Sequence, residues 1–185
     1  MPSPMRTALR RASALALLVP LSSGPLESFA ADVLVLEFEL NDLTLYPKVE
    51  QERARVASLR PLLLEAFADA ENVEVRALPE QARVEADRGT GYLFERPAVA
   101  ARLGRQSGAD WVVSGRLHKA SHLFVYLKAQ LVDASDGEIA ADFVVEIKGW
   151  GEKLTRRGVD ALAVQIVESL DTLDAAHGGG EGKRE

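Results

Sequence analysis

Two of the three histidines in this chain, His118 and His122, stand four positions apart in GADWVVSGRLHKASHLFVYL (residues 108–127), beside Ser114-Gly115 and Trp111. On a helix that spacing would place both imidazoles on one face, where they could hold zinc. Lys119-Ala120-Ser121 reads instead as the connection of a β-hairpin, which leaves the two rings flanking a turn. A zinc site also needs a third ligand, and the remaining histidine, His177, falls in the polar carboxy-terminal stretch HGGGEGKRE. A solvated hairpin end is therefore expected here, not a metal centre. Ser114 lies in VVSGR, which lacks the glycines of a nucleophile elbow and falls in mid-strand. The small pair Ser114-Gly115 suits a strand that another element approaches closely. Gly89 and Gly91 lack the third glycine of a dinucleotide fingerprint, and no helix follows directly to receive a phosphate.

The acidic residues at the end of the first strand are the strongest chemical candidate. Glu37 and Glu39 alternate with Phe38 and Leu40, so they are expected to share a side, and Asn41 and Asp42 follow at the carboxy-terminal edge. Open α/β sheets usually bind ligands at that edge. Glu37, Glu39 and Asp42 with one amide could satisfy a hard cation such as calcium or a lanthanide. The competing expectation is a polar strand end neutralised by Lys148, Arg60 or Arg116, and it is the favoured one. A second candidate is Tyr92-Leu93-Phe94, three large residues in a loop after two glycines. That segment is either core or a docking edge for a protein partner, with Tyr46, Phe124 and Tyr126 as further members of an apolar contact surface.

These residues must be set in a compartment and a fold. Arg6, Arg10 and Arg11 precede the apolar run ASALALLV, and Ser28 and Ala30 offer the small residues of a cleavage site. Residues 1–30 therefore read as a signal peptide cut between Ala30 and Ala31, which implies export to the periplasm. The apolar run is far shorter than the roughly 20 residues of a membrane span, and no transmembrane segment is expected. The chain has no cysteine. That excludes disulfides, thiolate metal sites and a cysteine nucleophile, and it leaves no residue for a lipid anchor after the cut. Beyond residue 30 there are 19 basic and 27 acidic side chains, a net charge of −8. Nucleic acid and anionic membrane faces are disfavoured as partners.

The order of elements reads β-α-β-(α)-α-β-β-β-α. VLVL (33–36) is apolar on both faces, as in a central strand, and is expected to continue through EFEL. The helical stripe at 56, 59, 62, 63, 66, 67 and 70 contains Pro61, which should kink or divide that helix. VEVRAL (73–78) is a second strand, residues 80–88 a short helix, and Pro97 and Gly108 bound a further helix. WVVSGRLH, LFVYLKAQLV and IAADFVVEIKG are three strands, with DASDG (133–137) a tight turn. A final amphipathic helix carries Leu154, Val159, Leu162, Ile166, Leu170 and Leu173. The expected fold is a single α/β (α+β) domain over residues 31–174. Its five-stranded mixed sheet begins parallel, ends as an antiparallel meander and is flanked by helices. Residues 175–185 are expected to be a disordered tail.

The run AARLGRQSGADWVVSGRL, followed by a hairpin and AQLVDASDGEIAADFVVEIKG, resembles the domain shared by the amino-terminal part of TolB, by CsgG and by LpoB. The matching features are Gly108-Ala109-Asp110 at a helix end, Ser114-Gly115 in a strand, and Val132-Asp133 before the turn at Gly137. EFELNDLTL, GYLFERPAVAARLG and GRLHKASHLFVYLKAQLVD resemble, more closely, a family of uncharacterised secreted bacterial proteins. Some of its members are encoded near quinoprotein (PQQ-dependent) alcohol dehydrogenase systems, so the resemblance implies a periplasmic accessory role. The expected function is thus a non-enzymatic periplasmic module that uses no cofactor and binds a protein partner of the periplasm or envelope, with a homo-oligomer as one form. A binder of a metal ion or small ligand is the alternative, and an enzyme the third reading.

Overall fold

The structure, a computed structural model, describes residues 30–45, 49–86 and 92–178. The elements are β1 (Ala31–Val35), β2 (Glu39–Asp42), α1 (Val49–Ala68), β3 (Val73–Arg76), α2 (Glu80–Ala86), α3 (Pro97–Ser107), β4 (Trp111–Lys119), β5 (Phe124–Asp133), β6 (Ile139–Lys148) and α4 (Glu152–Gly178). They form one mixed sheet in the order β3-β1-β4-β5-β6, with β2 as a sixth strand beside the far half of β4. β1 and β2 run parallel to β4, and β4, β5 and β6 form the expected antiparallel meander.

β1 alternates between two cores because both faces of the sheet are covered there. Val33 and Val35 join Leu59, Leu63 and Phe67 of α1 and Val159, Leu162, Ile166 and Leu170 of α4. Leu34 and Leu36 join Ala100, Ala101 and Leu103 of α3 on the other side. α3 starts at Pro97 and ends where Gly108 takes φ 69°, its N–H donating to the Arg105 carbonyl. In the β5–β6 turn the Asp133 carboxylate accepts the Ser135 N–H at 2.7 Å, and Gly137 has φ 82°.

Two expectations are corrected. The first strand does not run unbroken through EFEL. Val35 pairs with Val113 and Glu39 with Arg116, so three residues on one side face two on β4. That extra residue breaks the strand, which raises the count from five strands to six. α1 is not divided at Pro61, because the proline lies on the exposed side of one continuous 20-residue helix. α4 spans Glu152–Gly178, so His177 is helical. Residues 1–29 of the expected signal peptide, Tyr46, Gly89 and Gly91 lie outside the described residues.

Candidate functional site

The extra residue between β1 and β2 decides where the acidic side chains go. Phe38 turns toward the α1–α4 core, and its ring lies on Gly115, where a Cβ would collide with it. The alternation that should have kept Glu37 and Glu39 on one side is thereby reversed. Glu37 is exposed and meets Arg60 of α1 at 3.6 Å, while Arg60 Nε also donates to the Val35 carbonyl. Glu39 is mostly buried on the opposite face, 3.2 Å from Arg116 of β4. It also accepts the N–H groups of Leu93 and Phe94 at 3.2 and 3.4 Å. Asp42 returns to the α1–α4 side and meets Lys119 at 3.0 Å. The three carboxylates thus go to three cations on two faces and do not converge. Two of those cations, Arg60 and Arg116, are the expected ones, whereas Lys148 pairs with Glu146 instead. Among the described residues no group of three or more His, Asp or Glu side chains is placed to hold a metal ion.

Lys119 was expected in a hairpin connection and is instead the last residue of β4, with 0% of its surface exposed. Its ammonium lies between Asp42 and Glu52 of α1, the latter at 3.1 Å, and 5.1 Å from the centre of the Trp150 ring. Burial alone would lower the Lys119 pKa, but the contacts and charges of Asp42 and Glu52 outweigh it and raise it. Burial would likewise raise the Asp42 pKa. Its hydrogen bonds from the Thr44 hydroxyl and N–H and from Lys119 outweigh that and lower it. Neither Glu52 oxygen meets full hydrogen-bond geometry, so this is the looser of the two contacts of Lys119. Alternation along β4 was the missed signal. Trp111, Val113, Leu117 and Lys119 share one inward parity, which places the lysine in the core layer.

Among the described residues the opposite face of the same strands is open beyond α3, whose buried partners in β4 and β5 are Val112 and Val132. Farther along, Arg116 and His118 of β4 and Tyr126 and Lys128 of β5 are half-buried, while Phe124 of β5 and Val144 and Glu146 of β6 are exposed. Arg116 pairs with Lys128 and His118 with Tyr126 across the β4–β5 ladder, and Tyr126 with Glu146 across β5–β6. Asn41 Nδ2 lies 3.2 Å from His118 Nδ1, and the His118 ring is tilted 42° against Tyr126. Burial, then the charges of Lys128 and Arg116, push the His118 pKa below its ordinary value of 6.5. His118 is therefore part of the sheet surface and not of a solvated turn. His122 lies in the four-residue connection, and its carbonyl accepts the Trp150 indole N–H at 2.5 Å.

Tyr92-Leu93-Phe94 forms the turn that rims this open face. Leu93 is core, whereas Tyr92 and Phe94 are half-buried. The Arg116 guanidinium sits 4.4 Å from the Phe94 ring centre and 3.2 Å from Glu95, and Arg96 covers the Tyr92 ring at 4.9 Å. Arg116 therefore ties Glu39, the aromatic turn and the open face together. The middle residue of the segment is buried, and its flanking rings border solvent.

No curated protein matches the chain. Among solved structures it is similar to the LpoB C-terminal domain from Escherichia coli, at 15% identity and a TM-score of 0.48, over 65% of this chain and 84% of that one. It is also similar to lipoprotein GNA1162 from Neisseria meningitidis (21%, TM-score 0.46, 75% and 99%). TolB from Acinetobacter baumannii matches at 13% and a TM-score of 0.46, over 76% of this chain and 28% of that one. At these values the likeness concerns the fold and not the activity. Among the described residues no helix is long and apolar enough to cross a membrane. A family model matches residues 31–166, from the first strand into α4, and the chain therefore belongs to DUF3280, a family described as "Protein of unknown function (DUF2380)".

Proposed function

We propose that this protein is a non-enzymatic accessory module of the periplasm that binds an envelope or periplasmic protein on the open face of its sheet. The observation that carries the reading is the half of β4–β6 that no helix covers among the described residues, where Phe124, Tyr126 and Val144 are interleaved with Lys128, His118 and Glu146. Aromatic and apolar side chains rimmed by polar and charged ones are the composition of a protein-binding patch. α1 and α4 bury the other face of the same strands, whereas among the described residues this part of the sheet carries no helix. A non-enzymatic role is supported by the pairing of the site's charges. Arg116, Lys119, Glu39 and Asp42 are each held by an opposite charge, so none is poised as a free acid, base or nucleophile. The pathway we infer is quinoprotein (PQQ-dependent) alcohol oxidation, following the resemblance of EFELNDLTL and GRLHKASHLFVYLKAQLVD.

The test is quantitative co-purification from periplasm with the natural protein and a Tyr126→Ser/Lys128→Glu variant. A specific partner, expected to be a component of a quinoprotein system, should be depleted at least about ten-fold with a variant whose melting point is unchanged. Equal recovery of every co-purifying protein would contradict the proposal.

A further inference from the structure

The sheet ends in two edges of unequal kind. β3 is four residues long, whereas β6 is ten, and no strand pairs with its outer side among the described residues. A long edge strand is a template for another strand unless its side chains forbid it. The hydrogen-bond phase of β6 is fixed by its ends. The Gly149 N–H donates to the Leu123 carbonyl, and the register from Phe124↔Lys148 to Leu131↔Ala141 is unbroken. Residues 141, 143, 145 and 147 therefore direct their backbone groups to β5. Asp142, Val144, Glu146 and Lys148 direct theirs outward, and all four side chains stand on the open face.

We infer that this edge pairs with β6 of a second copy, antiparallel about a two-fold axis at Val145. In a symmetric antiparallel pair the outward-directed residues must face one another, which leaves only a few registers. Centring on Val144 sets Asp142 against the partner copy's Glu146 twice, and centring on Glu146 sets that carboxylate against itself. Both are repulsive. Centring on Val145 places Asp142 opposite Lys148 of the second copy, and Lys148 opposite its Asp142. Val144, 57% exposed in the single chain, then lies against the aliphatic stem of Glu146. Among the described residues Asp142 has no ion pair and Lys148 has only a 3.5 Å contact with the exposed Glu146, so both are available. The charges that usually protect an edge are here complementary to themselves. The bulge at Ala140, where Val132 pairs with Ile139 and Leu131 with Ala141, ends the pairable stretch on one side.

Sedimentation velocity of the purified protein over a wide concentration range tests this. A reversible dimer is expected. Asp142→Lys and Lys148→Asp should each weaken it about ten-fold or more, and the two together should restore it. Val144→Pro removes an outward N–H that the chain itself does not use, and should abolish the dimer while the circular dichroism and melt are kept. A monomer at all concentrations would overturn the inference. So would a dimer that survives Val144→Pro in folded protein, or one in which the charge swaps act additively.

Discussion

The Phe38 ring rests on Gly115, one residue beyond the point where β1 and β2 slip relative to β4. The missing Cβ admits the ring into the α1–α4 core, and the extra residue that brings the ring there sends Glu37 and Glu39 to opposite faces. Gly115→Ala should therefore cost about 1–3 kcal/mol, the range for forcing atoms into a packed core. Urea denaturation of Gly115→Ala, Phe38→Ala and the double variant checks it. Strongly sub-additive losses are expected, and additive ones would mean that the two residues are not coupled.

Replacing Lys119 by methionine keeps the volume and removes the charge, leaving Asp42 and Glu52 buried without their cation. The expected loss is about 3–5 kcal/mol, with partial recovery when Glu52→Gln is added. The pH signs follow from the shifts. Asp42 has a lowered pKa, so its contribution is present above the ordinary carboxylate range and is lost as pH falls through its folded value. Lys119 has a raised pKa, so its contribution is present below about 10.5 and is lost as pH rises through the folded value. Stability set by this pair should be flat between those limits and fall at both ends. Lys119→Met should flatten both flanks in melts recorded from acid to alkali.

His118 should act in the opposite sense to a salt-bridged histidine. Its pKa lies below 6.5 when folded, so the unfolded chain binds more protons just below that pH. Acidification from pH 7 to 5 should destabilise the natural protein more than His118→Gln. Identical acid limbs in the two proteins would show that the ring is solvated.

Much of this fold could be read from the sequence because its signals are local. The double-faced VLVL, the Pro97 and Gly108 caps and the DASDG turn each specify their own geometry. The six-strand count and the parity of Glu37 and Glu39 could not be read that way. They depend on which of 113 or 114 a distant strand presents to Leu36, a tertiary choice with no local cost. Lys119 was hidden for a related reason: a lysine beside Ala-Ser looks like a turn unless Asp42 and Glu52, 77 and 67 residues away, are known to meet it.

The carboxylates of the first strand end now carry unequal expectations. Glu39→Gln leaves the half-buried Arg116 with the exposed Glu95 as its one carboxylate among the described residues, and should cost about 1–3 kcal/mol. Glu37→Gln breaks an exposed pair and should stay within about 0.5 kcal/mol. Melts with calcium, lanthanum and zinc should show no specific stabilisation of either form. A shift of several degrees that Glu39→Gln removes would reveal a cation site after all.

Site-specific photocrosslinking in intact cells tests the partner-binding face most directly. A photoreactive residue at Tyr126 should yield one dominant adduct with an envelope or periplasmic protein other than this chain. The same residue at Ala57, on the exposed side of α1, should yield none. Adducts of equal intensity and identity at both positions, or none at Tyr126 in cells that express the protein from its own locus, would contradict the account.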